Sequence, residues 1–523
     1  MYKKIFVTLL ISVQALIIMS QTTYDLRNVN GDNYVSSVKS QNGGTCWTHG
    51  IMAAIEGNLL LTGIWAQTEP DTVGEPNMAE YHLDWWNGFN KHNNDDVSPP
   101  TGTGLDVHYG GDYRVTAAYI SRGESAVFSV EANDATERDL PWYNSAPLRF
   151  DPSYQLFYPR HIEWYSVGDD LENIDIVKQK IIDHGVMGTC LYWGGGFYSY
   201  TTRTHYQPSS DANDPNHAVA IIGWDDQKAT QASETGAWLI KNSWGSGWGD
   251  GGYFWISYYD KHCGKHPEMG AISFIDMEPY KYKQVFYHDY HGMRDTIPFN
   301  EGFNSFTATD STILSSVSFF TAADSIYFIA IIFDSFVNGS LQDTLSEIAD
   351  SVFHSGFHTF DLDSAVQLIS GNDFYIYLSL TNGGQAIDRT SVIPVLLGAS
   401  SRTIVPSSAS ANESYYLENG VWTDLYNYSF SNSSWDNTAN LCIKGLVLND
   451  SILWTGILDS DWSKPGNWIP KISPTKNIFA EIPADCDNNP SSSSDSLIQI
   501  KKLHLSTGAQ VSIPVSCTLI IDE

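Results

Sequence analysis

Three stretches of the chain hold residues that could act together on a carbonyl. A cysteine stands directly before a tryptophan in "GGTCWTHG" (43–50), a histidine opens "HAVAIIGW" (217–224), and an asparagine sits in "AWLIKNSWGSGW" (237–248). Cys46 precedes His217 by 171 residues, and His217 precedes Asn242 by 25. A neutral thiol is a poor nucleophile near pH 7, because its ordinary pKa is about 8.5. A helix N-terminus, a nearby imidazolium and a third group that holds the imidazole can together make it reactive. Cys46 could draw on the first, His217 could supply the second and Asn242 the third. A lone cysteine on a helix is more often a small buried hydrophobe, so the reading of Cys46 depends on its partners.

The surrounding pattern supplies elements to position them. "TCWTHGIMAAIEGNLLLTG" carries Ile51, Met52, Ile55 and Leu59 at helical spacing, and Gly63 offers a stop. Cys46 would then begin that helix. "LENIDIVKQKIIDHG" repeats the device, with Leu171, Ile174, Val177 and Ile181 on one face and Gly185 at the end. Strand-like runs follow: "HAVAIIGW", "AWLIKNSW" and "GYFWISYY". Helices early and strands late predict an α+β domain of two lobes.

These segments resemble the papain-like cysteine peptidases. "VKSQNGGTCW" resembles the family's glutamine-to-cysteine segment, "NHAVAIIGW" its histidine strand and "KNSWGSGWGDGGYF" its asparagine segment. "YGGDYRVTAAYI" resembles the double-glycine wall of the substrate cleft. The resemblance implies hydrolysis of peptide bonds, as an endopeptidase, through a thioester on Cys46. His217 would form the ion pair and protonate the departing amine, and Asn242 would orient the imidazole. Trp244 would shield that hydrogen bond from water, and Gln41 would donate to the oxyanion together with the Cys46 N–H. Gly110 and Gly111 would pair with an extended substrate, and Trp47 and Trp244 would line its site. In papain the thiol is held at about 3–4, a stabilisation of roughly 6 kcal/mol. A helix dipole supplies about 1–2 kcal/mol of that, so His217 must do most of the activation.

Departures from the family pattern carry expectations of their own. Gln41 lies five residues before Cys46 where six are usual, so the intervening loop must be tighter. Gly43 occupies the place of a structural cysteine, and that disulfide is missing. "NMAEYHLDWWNGFN" expands the stretch before Gly110. "TYDLRNVNGDNYVSSVKSQ" resembles the start of a mature enzyme and follows the apolar N-terminal run at once, leaving no room for an inhibitory propeptide. The expectation is a protein active on export, or one restrained by its own loops or C-terminal domains.

Length and composition frame the rest. A chain of 523 residues exceeds one hydrophobic core. Its formal charge of −32 excludes the basic face that a nucleic-acid binder needs. Residues 1–20 read as a signal peptide: Lys3 and Lys4 precede an apolar run too short to span a bilayer, and no later stretch is long enough. Residues 21–277 read as the papain-like domain. Residues 278–447, rich in runs such as "IYFIAIIF" and "FYIYLSL", read as an all-β sandwich. Residues 448–523 read as a small all-β module.

The fold class is thus multidomain, α+β followed by all-β. The sandwich resembles the lectin-like domain of some bacterial papain-like peptidases. The last module resembles β-modules of exported proteins from Bacteroidota-type, Gram-negative bacteria. Partners are peptide or protein substrates, with cell-surface glycans as a further partner of the sandwich, although no cluster of aromatics with acids marks a sugar site. A secreted or cell-surface location follows. No cofactor and no metal are implied.

Other residues read as structural. His49 lacks a second close pair of ligands, Trp248 belongs to a core, and Cys190 lies in a buried strand. Asp-rich "KHNNDDVSPP" is a solvated loop or a calcium contact, and Cys486 and Cys517 could close a disulfide. An adhesin built on a papain-like scaffold, and a transferase on the same fold, remain as alternative functions. The first is disfavoured because every catalytic position holds the expected residue type.

Overall fold

The structure, a computed structural model, describes residues 21–68, 74–129, 140–151, 153–393, 397–398, 402–449, 451–469, 473–475, 478–492 and 497–521. The expected signal peptide lies outside them. No helix among the described residues is long and apolar enough to cross a membrane.

The predicted helices form where the apolar spacing places them. Helix α1 spans Cys46–Leu61 and ends before Gly63, which adopts a φ of 73° that favours glycine. After strand β1 (Gln155–Tyr165), helix α2 covers Ile174–His184 and stops at Gly185, φ 91°. Then come β2 (Met187–Leu191), β3 (His217–Asp225), β4 (Ala237–Lys241), β5 (Tyr253–Ser257) and β6 (Ala271–Pro279). Strand β3 is buried almost throughout because α1 lies across it, which explains its near-continuous apolar run. Strand β2 pairs antiparallel with β3, and β3 with β4.

The sandwich shares this sheet. Its strands β7 (Tyr282–Phe286), β8 (Glu301–Thr307), β9 (Thr312–Thr321), β10 (Ile326–Val337), β11 (Ser340–Val352), β12 (Gly356–Leu368) and β13 (Asp373–Leu380) precede a return strand, β14 (Ile443–Leu448). Among the described residues one 14-stranded sheet runs β7-β14-β9-β12-β1-β6-β2-β3-β4-β5 and on into two short strands. The join is between β12 and β1, where Phe357 pairs with Ile162. A second, six-stranded sheet faces the β9 end and holds β11, β10, β13 and β8 in order. Alternate residues Phe328, Ala330, Ile332, Phe374, Ile376 and Leu378 fill the core between the two sheets.

The C-terminal module is all-β. Trp454, Trp462 and Trp468 make its centre, with Trp454 and Trp468 edge to face at 4.9 Å. Strands beginning at Ser451, Phe479 and Lys502 pair in parallel. None of the six cysteines is in a disulfide, so the Cys486–Cys517 bridge that the sequence allows is not formed. Cys486 Sγ instead faces Asn489, and Cys517 Sγ accepts a hydrogen bond from the Ser492 hydroxyl.

The Asp-rich loop is solvated only in part: Lys91, Asp95 and Ser98 to Pro100 are exposed, while its middle turns inward. Asn93 and Asn94 are buried, and Asn94 donates to the Pro406 carbonyl at 2.9 Å. Asp96 accepts from the Ser408 N–H and the Ser407 hydroxyl. The polar residues serve as hydrogen-bonding partners for the neighbouring domain, a use that composition cannot distinguish from solvation.

Gly356 stands at the join between the two halves of the long sheet. A Cβ there would meet the Ile162 carbonyl oxygen at 1.9 Å. Gly356→Ala should force the strands apart and lower stability by about 1–3 kcal/mol, measured as a fall in the urea midpoint. An unchanged midpoint would show that the join contributes nothing.

Candidate active site

The segment that carries Cys46 is held from below by a buried ionic group. Lys39 Nζ lies 2.6 Å from Glu56 of α1 and 2.5 Å from Glu80. Burial is the largest single influence on Lys39 and lowers its pKa, but the two carboxylates together outweigh it and raise the pKa above the ordinary lysine value. Lys241 Nζ reaches the same group through the Ser36 hydroxyl at 2.8 Å, and loss of water pulls it down to about 8. Two residues beyond Lys39, Gln41 donates its N–H to the Ser243 carbonyl, and its side-chain oxygen accepts from the Ser243 hydroxyl at 2.6 Å. Gly43 turns the shortened loop with a φ of 66°, which is how five residues cover the span.

Cys46 is the first residue of α1, and no acidic side chain occupies the first helical turn to offset the dipole. Backbone N–H groups of Ala218, the residue after His217, of Trp47 and of Cys46 itself favour the charged form of its sulfur. Cys46 is completely buried and His217 nearly so. His217 Nε2 lies 2.8 Å from Asn242 Oδ1, which also accepts the Ser243 N–H at 2.9 Å. An oxygen that accepts twice fixes the amide orientation, so Nε2 carries the hydrogen and Nδ1 is left as the basic nitrogen. Trp244 stacks on the imidazole, 4.5 Å between centroids at 20°. Trp193 and Trp248 meet Trp244 edge-on.

Burial favours the neutral form of both Cys46 and His217. It pushes the Cys46 thiol up to about 12, against hydrogen bonds from backbone N–H groups. It pulls His217 down to about 4, with His205 and His49 adding to the fall and Asn242 opposing it. An imidazole lowered in this way stays unprotonated in mild acid and can accept a proton.

The double glycine faces the start of α1. Gly110 donates its N–H to the Gly44 carbonyl at 3.0 Å. Gly111 exchanges hydrogen bonds with Leu397, and a Cβ on Gly111 would stand 2.5 Å from the Trp47 ring. Trp47 is fully buried behind that glycine, so it backs the cleft wall and does not line a substrate surface as expected. The Gln41 amide donates to the Gly43 carbonyl at 3.0 Å in this structure. His49 is buried with Nδ1 on the Thr45 carbonyl, and Cys190 is buried in β2.

Two further groupings go beyond the sequence reading, which gave a calcium contact to the loop of Asp96 but named no partners for it. Asp96, His291 and Asp388 bring possible metal-ligand atoms within 4.8 Å of one another. Asp388 is buried and its carboxyl is raised well above the usual range by loss of water, with Asp96 adding repulsion. Their wide separation along the chain leaves no local motif. The outer face of the six-stranded sheet gathers Phe303, Tyr375, Tyr377, Tyr415 and Trp422. Phe303 stacks on Tyr415 at 4.7 Å, Trp422 meets Phe303 edge-on at 4.8 Å, and Tyr377 donates to Glu301 at 2.6 Å. Period-2 alternation in four separate strands was the available signal.

Residues 162–272 match the family described as papain family cysteine protease, and residues 285–447 match the lectin-like domain. Cathepsin B-like cysteine proteinase 4 of Caenorhabditis elegans is 30% identical over 109 residues, 21% of this chain and 30% of that protein. Procathepsin L of Mus musculus is 36% identical over 66 residues, 12% of this chain and 20% of that protein. The chain thus spans less than a third of either relative.

A crystal structure of the cysteine protease and lectin-like domains of Cwp84, a surface layer associated protein of Clostridium difficile, shares the fold. Its TM-score is 0.62 at 21% identity, over 82% of this chain and 89% of that one. A second Cwp84 structure, after propeptide cleavage, gives 0.60 at 20% identity, over 82% of this chain and 99% of that one. The chain joins a papain-family cysteine protease domain to a lectin-like domain.

Proposed function

We propose that the protein is a cysteine peptidase that hydrolyses peptide bonds through an acyl thioester on Cys46. One observation carries the reading: His217, its Nε2 2.8 Å from Asn242 Oδ1, opens the strand across which the helix headed by Cys46 lies. His217 Nδ1 takes the thiol proton, and the sulfur attacks the substrate carbonyl. Charge then develops on the carbonyl oxygen, where the Cys46 N–H and the Gln41 amide donate once Gln41 releases the Gly43 carbonyl. The imidazolium returns its proton to the departing amine, leaving a neutral imidazole. That imidazole next takes a proton from water, whose oxygen attacks the thioester, and the proton returns to sulfur.

The export signal read over residues 1–20 and the kinship with a surface layer associated protein support a secreted or cell-surface location. The aromatic face around Trp422 supports glycan contact through the sandwich.

Cys46→Ala should abolish peptide hydrolysis, and His217→Ala should lower kcat by about 10²–10⁴-fold or more. Gln41→Ala should lower kcat by about 10²-fold with little change in KM, as for a donor used chiefly in the transition state. Hydrolysis retained by Cys46→Ala would remove the proposal.

Because His217 is lowered to about 4, it remains a neutral base at pH 5. The acid limb of kcat/KM should therefore lie well below the 6.5 or so of a free imidazole. A limb at 6.5 would contradict that environment.

Trp422→Ala should abolish retention on immobilised glycans while leaving peptide hydrolysis unchanged. Equal retention by both proteins would mean that the face binds no sugar.

A further inference from the structure

The cleft beside Cys46 is occupied by the chain's own lectin-like domain. A short hairpin, with Ser391–Val392 paired against Ile404–Val405, rises from that domain toward the start of α1. Between its arms, Leu397 forms an antiparallel bridge with Gly111: Gly111 donates to the Leu397 carbonyl at 3.3 Å, and Leu397 donates to the Gly111 carbonyl at 3.0 Å. The next residue, Gly398, donates its N–H to the carbonyl of Asn216, the residue before His217, at 2.9 Å. Leu397 is fully buried in the same cluster as Cys46 and Trp47, and Ile393 and Val405 of the hairpin belong to that cluster too. Arg402 adds an outer contact, 3.6 Å from Asp214.

The direction of this segment matters. It runs from the double-glycine wall toward the Cys46–His217 pair in the N-to-C sense, which is the course an acyl-side substrate strand must take. Two backbone hydrogen bonds to Gly111 and one to Asn216 are recognition that any peptide backbone could satisfy.

At Gly398 the likeness to a reacting substrate ends. Its φ of 88° belongs to the left-handed region, whereas an extended substrate residue has negative φ. The Gly398 carbonyl oxygen is packed against Gly44, where a Cβ would stand 1.8 Å from it. The Gln41 amide is meanwhile engaged with Gly43. The segment holds the cleft as a substrate would, without offering its carbonyl to the Gln41 donor.

We infer that Leu397 and Gly398 form a built-in, substrate-mimicking inhibitor, by which the lectin-like domain restrains the peptidase domain in cis. The occupant also indicates the peptide class that can displace it: an apolar residue followed by one with little or no side chain, since Gly44 leaves no room beside Gly398. This inference rests on reading Cys46 as the nucleophile. Opening requires only that the hairpin tip leave Gly111 and Asn216, because no covalent bond ties it there.

The test compares the unaltered protein with Leu397→Asp, which puts a charge into the apolar cluster. A second variant, Gly398→Ala, adds a Cβ 2.4 Å from the Gly44 carbonyl oxygen. Iodoacetamide alkylation of Cys46, read by mass spectrometry, should be at least about tenfold faster in both variants as the open population rises. Excess synthetic peptide of sequence IPVLLGASSR should slow it again. Faster alkylation with faster peptide hydrolysis supports the inhibitor and the peptidase together. Faster alkylation with no hydrolysis supports the inhibitor and removes the peptidase reading. Equal alkylation in all three proteins overturns the inhibitor, whatever the hydrolysis shows. Should neither variant fold, hydrogen exchange of the unaltered protein decides: protected Gly111 and Gly398 amides support the seated segment, and rapid exchange at both overturns it.

Discussion

The first turn of α1 packed against the first residues of β3 is the contact on which the rest depends. It holds a sulfur at a helix N-terminus against the strand that His217 opens, with both residues shut away from water. Each group, taken singly, is driven to its neutral form by that exclusion. In the proposed reaction, passing the thiol proton to the imidazole would create two opposite charges, whose attraction in a poorly screened site would offset part of the burial penalty. Asn242 and the stacked Trp244 keep the imidazole turned so that Nδ1 is the nitrogen available for the transfer.

The lectin-like domain is an extension of the peptidase domain in a structural sense. Its strands continue the same sheet through the β12–β1 join, its Ser407 and Ser408 receive the Asp96 loop, and its hairpin enters the cleft. A domain attached only by a linker could bind sugar independently of catalysis. One that shares a sheet and a cleft can transmit an event on its outer face to the reacting groups, provided that the hairpin has two positions.

Much of this was legible in the sequence because local signals agreed with tertiary demands. The apolar spacing from Ile51 to Leu59, closed by Gly63, gave the helix that presents Cys46. The uninterrupted run from Ala218 to Ile222 gave a strand buried on both faces. The tighter loop before Cys46 was foreseeable from the five-residue spacing, and Gly43 supplies the positive φ that closes it. Other features left no local trace. Leu397 and Gly398 lie in an ordinary apolar run, and only the three-dimensional path of the hairpin carries them to Gly111. The aromatic face around Trp422 is assembled from separate strands, each of which shows only period-2 alternation. Trp47 reads as a cleft residue beside Cys46 but faces the back of Gly111, because successive helical residues point in different directions.

The most direct test is to trap the covalent intermediate. An activated ester of a short peptide is mixed with the protein, the reaction is quenched in acid within its first turnovers, and the digest is searched by mass spectrometry. The peptide bearing Cys46 should gain the mass of the acyl group and lose it on treatment with hydroxylamine. Turnover of the ester with Cys46 unmodified, or an acyl group found only on another residue, would contradict a thioester at the head of α1.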